Sequence, residues 1–77
     1  MNVIYYELGE LGFDLVKEQG MYILVDQKTD KKISSLNSDM KEVIEKMGIE
    51  YNPQLDLYTI STWSIKQRWG LGHSGEF

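Results

Sequence analysis

The stretch Gly12–Ile33, GFDLVKEQGMYILVDQKTDKKI, limits the possible folds more than any other part of the chain. Phe13, Leu15 and Lys17 alternate with Asp14, Val16 and Glu18, and Met21, Ile23 and Val25 alternate with Tyr22, Leu24 and Asp26. Alternation rich in β-branched and aromatic residues predicts two strands, near 13–18 and 21–26. Gln19-Gly20 lies between them, and Gly20 supplies the positive φ that a tight hairpin turn needs. The second run is apolar on both faces, so it needs cover on both sides. Lys28-Thr29-Asp30-Lys31 reads as a second, polar turn. Lys32–Ser34 is a candidate for a short third strand, whose lysines would discourage edge-to-edge pairing.

The flanking segments read as helices that need a sheet to lie on. In Met1–Leu11, Ile4, Leu8 and Leu11 fall at helical spacing, and Gly12 suits the left-handed residue after a helix end. Val3-Ile4-Tyr5-Tyr6 has high strand propensity and Gly9 costs a helix about 1 kcal/mol, but the helical reading is favoured. Ser35–Gly48 is the clearest helix. Leu36, Met40, Val43, Ile44 and Met47 form one apolar stripe, predicted to be buried. Ser35 or Asn37 can cap its start, Asp39 suits the positive end of its dipole, and Glu42 precedes Lys46 by four residues. The methionines read as core filling rather than as an adaptable binding groove.

Glu50–Gln54 reads as a connection, because Pro53 blocks a helix and restricts Asn52. LDLYTISTWSIKQRWG then fits both templates: Leu55, Leu57, Thr59, Ser61, Trp63 and Ile65 alternate, while Leu55, Tyr58, Thr62, Ile65 and Trp69 make a helical stripe. The expectation is an extended entry to about Tyr58, then a helix from Thr59 or Ser61 to Trp69, ended by Gly70. Together these elements predict a small α+β fold: a helix, an antiparallel β-hairpin or three-stranded meander, an amphipathic helix, and a C-terminal helix or strand. Residues 1–70 are expected to form one domain and 71–77 a flexible tail. The final Glu76-Phe77 is compatible with a cloning remnant.

At 77 residues the chain is near the lower limit for an independent core. Cysteine is absent, so disulfides and thiolate metal sites are excluded. No apolar run is long enough for a signal peptide core or a membrane span, which makes the cytoplasm the default compartment. Eight basic and twelve acidic residues leave a net charge of −4, which disfavours binding to phosphates and suits a basic protein partner. Lysine far outnumbers arginine and alanine is absent, a pattern expected of AT-rich coding. The charge is uneven: Glu7, Glu10, Asp14, Glu18 and Asp26 against Lys17 give −4 over residues 1–27. Four lysines against Asp30 and Asp39 give +2 over 28–41, and Glu42, Glu45, Glu50 and Asp56 against Lys46 give −3 over 42–56.

Candidate chemistry is thin. His73 is the single histidine, stands among glycine and serine, and reads as a tail spacer. Neither Gly9-Glu10-Leu11-Gly12 nor Gly70-Leu71-Gly72 has the context of a phosphate loop. Asp14, Glu18 and Asp26 read as solvated sheet charges rather than an acid–base pair, which would need a pocket. Thr59–Leu71 superficially resembles the first helix of a helix-turn-helix, but Gly70 comes too late after Ser64 and no basic recognition helix follows. No cofactor and no metal site is expected, and an enzyme is disfavoured.

The remaining signal is a surplus of rings: Tyr5, Tyr6, Phe13, Tyr22, Tyr51, Tyr58, Trp63, Trp69 and Phe77. Some of them can thicken an undersized core; tyrosine and tryptophan are also what protein interfaces enrich. The densest run, Tyr51 to Trp69, adjoins the −3 segment. Glu45, Glu50, Tyr51, Asp56, Tyr58 and Trp69 are therefore the candidate partner-binding residues, with Trp63 weighted below the tyrosines. A homodimer is favoured over a monomer, since the core is small and rings are in excess.

GFDLVKEQGMYILVDQKTDKKI followed by SLNSDMKEVIEKMG is similar to small helix–hairpin–helix proteins carried by phages and mobile elements of low-GC Gram-positive bacteria. The resemblance covers residues 4–48 and transfers no functional residue. It implies a non-enzymatic inhibitor that binds a host DNA-handling or defence protein: a sliding clamp, an RNA polymerase or a CRISPR nuclease. The acidic surface would then occupy a site meant for DNA. The alternative is a small regulatory nucleic-acid-binding protein using the turn at Lys28, Lys31 and Lys32, with Lys66 and Arg68.

Overall fold

The computed structural model describes residues 3–69. The elements follow the order α1 (Val3–Leu11), β1 (Phe13–Glu18), β2 (Met21–Asp26), α2 (Ser38–Lys46), β3 (Glu50–Asn52), β4 (Leu57–Ser61) and α3 (Thr62–Trp69). The four strands form one antiparallel sheet in the order β1-β2-β4-β3. The α+β expectation holds, with one strand more than a three-stranded meander and two more than a hairpin. His73, Phe77, the helix end at Gly70 and the tail at 71–77 lie outside the described residues.

The β1–β2 hairpin has the predicted spans, and its register sets Phe13 opposite Asp26 and Glu18 opposite Met21. Its two turn residues both have positive φ, Gln19 at 50° and Gly20 at 79°. That is the two-residue turn whose twist matches the strands. The register places Leu15 beside Leu24, Tyr22 beside Ile60, and Tyr51 beside Tyr58 on one sheet face. These side chains meet Ile4 and Leu8 of α1, Ile44 and Met47 at α2, and Ile65 of α3 in one core. The three helices therefore cover the same face. Ile23 and Val25 point the other way and are also buried, so β2 is covered on both faces, as its doubly apolar sequence requires. On that reverse face Lys32 is paired with Val25 and Glu18 with Met21. The Lys32 Nζ to Glu18 Oε1 ion pair, at 3.0 Å, spans the diagonal on either side of Ile23.

Five expectations need correction. Lys32–Ser34 is not a strand. Only a single bridge forms, between Val25 and Lys32. β2 and β4 part beyond the Ile23–Thr59 pair, and Ile33 fills the fork: its N–H donates to Leu24 and its carbonyl accepts from Tyr58 N–H. Second, α2 begins at Ser38 rather than Ser35. Asn37 has extended φ and ψ and its side chain accepts from Met40 N–H, so the cap fixes the start. Leu36 thus precedes the helix, although it still packs on the core. Third, Val43 is 42% exposed, so the α2 stripe is narrower than expected. Fourth, Glu50–Asn52 is an edge strand rather than a connection. The connection is the turn after it, where the Asn52 side chain accepts from Gln54 and Leu55 N–H and Asp56 takes φ of 58°. Fifth, β4 runs past Tyr58 to Ser61, because pairing with β2 on one side and β3 on the other satisfies its backbone.

α3 is fastened at both ends. Ser61 Oγ accepts from Ser64 N–H, and Thr62 Oγ1 donates to the Gly20 carbonyl in the hairpin turn. At the far end Arg68 Nη2 donates to Lys46 O at 2.7 Å and Trp69 Nε1 donates to Met47 O at 3.0 Å. These carbonyls belong to the end of α2, where helix geometry leaves acceptors unsatisfied. The chain leaves α2 through Gly48 at φ 92°, and a Cβ there would lie 2.9 Å from Arg68 Cδ.

Candidate functional site

Tyr51 is the centre of the most coherent candidate. It stands on edge strand β3, opposite Tyr58 on β4. Pairing directs both rings to the helix-covered face, but the edge position leaves Tyr51 41% exposed while Tyr58 is 4% exposed. The rings meet edge to face with centroids 5.5 Å apart, a favourable quadrupole arrangement. The Tyr51 hydroxyl donates to Asp56 Oδ1, across the β3–β4 turn. That hydrogen bond, with smaller contributions from desolvation and the Asp56 charge, raises the Tyr51 phenol above its ordinary pKa of 10.0. The ring is thus held by Tyr58 at its edge and by Asp56 at its hydroxyl.

Beside it lies a recess of about 320 Å³ between the start of α2 and the β3–β4 hairpin, lined by Ser34, Ser35, Leu36, Lys41, Glu45, Tyr51 and Tyr58. Of the six candidate residues, Glu45, Tyr51 and Tyr58 line this recess, and Asp56 joins them through the Tyr51 hydroxyl. Tyr58 contributes as buried support. Pairing on both sides of β4 puts it in the core, so its removal would cost stability as well as contact. The other two candidates lie elsewhere. Glu50 alternates with Tyr51 and borders an adjoining depression of about 570 Å³, which shares Tyr51 with the recess and is also lined by Ser61, Ser64 and Arg68. Trp69 is half-buried, tied to Met47 O, and lines a groove of about 550 Å³ on the opposite flank of α2. The six residues are therefore not one surface.

The lysine-rich turn is poorly built for phosphate binding. Asp26 Oδ1 accepts from Lys28 and Thr29 N–H, at 2.8 and 3.0 Å, and these bonds hold its carboxyl below the ordinary range. Asp30 stands beside it, and Lys32 is committed to Glu18. Lys28 and Lys31 are left exposed among carboxylates. Among the described residues no cluster of three or more His, Asp or Glu side chains is placed to hold a metal ion.

The chain matches no protein-family model, no curated protein and no solved structure. Function is therefore read from geometry and charge. No described helix is long and apolar enough to cross a membrane.

Two side chains are more exposed than their sequence pattern suggested: Trp63, weighted below the tyrosines, and Val43, expected to be buried. Trp63, in the first turn of α3, is 70% exposed, the most open of the large apolar side chains described. Its alternation with Ser61 and Ile65 fitted a strand as well as a helix, so nothing in the sequence set its direction. Val43 lies on one flank of the α2 stripe and Ile44 on the other. The roll of a nine-residue helix decides which is buried, and neighbouring helices set that roll.

Proposed function

We propose that this chain is a non-enzymatic protein-binding module of the phage-borne inhibitor type, acting in the host cytoplasm. It engages a host DNA-handling or defence protein, of the sliding-clamp, RNA polymerase or CRISPR-nuclease class, on a surface that otherwise receives DNA. The observation that carries this reading is the fixed Tyr51–Asp56 pair beside Glu45. A half-exposed ring already held by Tyr58 and Asp56 loses little freedom on binding, which favours affinity. Carboxylates at its side attract a basic surface and speed the encounter. The net charge of −4 acts in the same direction.

The test is capture from a low-GC Gram-positive lysate on immobilised protein, with and without excess duplex DNA. The expected result is a DNA-handling protein retained by the wild type, displaced by DNA, and lost from a Tyr51→Ala, Glu45→Gln variant. Retention that neither DNA nor these substitutions alter would reject the proposal.

A further inference from the structure

We propose that the groove between the three helices is the surface on which two copies of this chain associate about a two-fold axis. This inference stands apart from the functional reading, because the groove lies across α2 from the Tyr51 recess.

The groove floor is apolar, formed by Leu11, Val43, Met47 and Trp69. Val43 is 42% exposed there, on a helix whose other apolar residues pack inward. One bank of the groove is acidic, with Glu7 and Glu10 on α1; the other is basic, with Lys46 on α2 and Arg68 on α3. The two banks do not pair with each other. Among the described residues the ion pairs are Lys32 with Glu18, and Lys46 with Glu42 at 4.0 Å. In the second pair both side chains are more than 70% exposed, so it is readily exchanged for another partner.

A floor of one character between banks of opposite charge is self-complementary. A two-fold rotation brings the acidic bank of each copy onto the basic bank of the other, with Val43 near the axis. An isologous contact needs that property, since one patch must fit itself. Helical spacing extends the apolar surface beyond the floor. Val3 and Tyr6, 55% and 58% exposed, share the outer face of α1 with Glu7 and Glu10. A small domain with a limited core gains from covering such a patch.

The test uses the full chain in sedimentation velocity and native mass spectrometry across a micromolar concentration series. Wild type is expected to pass from the 9.0 kDa monomer to a species of twice that mass. A Glu7→Lys, Glu10→Lys variant makes both banks basic, and Lys46→Glu cancels the charge that Arg68 leaves on the basic bank. Each variant alone should dimerise at least about ten-fold more weakly than wild type, since like charges face each other in the first and the match of opposite charges is lost in the second. An equimolar mixture of the two should form a heterodimer. Val43→Ser should also weaken the dimer, and circular dichroism should show all variants folded. Monomer at every wild-type concentration would overturn the proposal. So would a dimer indifferent to the charge reversals, or a mixture that fails to associate.

Discussion

Replacing Gly48 with alanine probes how α2 and α3 are joined. The residue sits at φ 92°, and a left-handed conformation costs an L residue about 1–2 kcal/mol. A second cost is specific to this site. The added Cβ would lie 2.9 Å from both Cδ and Nε of Arg68, the middle of that side chain rather than its tip. Arg68 must swing away, and its 2.7 Å hydrogen bond to Lys46 O goes with it. An exposed bond of this kind contributes about 0.5–1.5 kcal/mol. Gly48→Ala should therefore cost about 1.5–3.5 kcal/mol in total. Gly20 provides the control: it has φ 79°, and nothing lies within 4 Å of an added Cβ. Gly20→Ala should cost only the strain, about 1–2 kcal/mol. In an Arg68→Ala background Gly48→Ala should fall to that smaller value, a coupling of about 1 kcal/mol. Urea unfolding followed by circular dichroism measures wild type and all four variants, with an unchanged slope as the check on two-state behaviour. Equal costs at Gly48 and Gly20, or no coupling to Arg68, would refute the clamp.

Ile44→Ala should lower stability by about 2–5 kcal/mol and Val43→Ala by less than about 1 kcal/mol, read from urea midpoints; similar losses would mean that α2 is rolled differently. Asp26 has a folded pKa below its ordinary 3.8, so its contribution to stability is full above that value and is lost as pH falls through the folded pKa. Urea midpoints on either side of pH 3.8 should fall less for Asp26→Asn than for wild type, and parallel losses would contradict the turn geometry. Burial, then the Tyr22 phenol and Asp14, raises the Tyr5 phenol, and Asp56 raises that of Tyr51. Ultraviolet titration into alkali should therefore show late phenols, one of which ionises earlier in Asp56→Asn; an unchanged curve would break the Tyr51–Asp56 link.

The parts of this fold set by local rules were legible. The hairpin followed from alternation around Gln19-Gly20, and α1 from the spacing of Ile4 and Leu8 before Gly12. The parts set by long-range pairing were not. Glu50–Asn52 is three residues long and followed by proline; it becomes a strand only because β4 offers a partner. Thr59–Ser61 fitted two periodicities, and pairing with Met21–Ile23 decided between them. The candidate site divides in the same way. Acidic and aromatic character near Tyr51 was visible in the sequence, but burial of Tyr58 and separation of Glu50 and Trp69 depend on strand phase and on which flank of α2 each meets. The Tyr51–Asp56 hydrogen bond needs the left-handed turn at Asp56, a residue type that tolerates positive φ but does not announce it.

The most direct measurement of the proposed binding surface is calorimetric titration of a captured partner with wild type and Tyr51→Ala, at low and high salt. Tyr58 is left intact, since it holds the core. Expected is a loss of more than about 1 kcal/mol for Tyr51→Ala, with wild-type affinity falling as salt screens the acidic groups. Equal affinities for the two proteins, unchanged by salt, would contradict binding through Tyr51, Asp56 and Glu45.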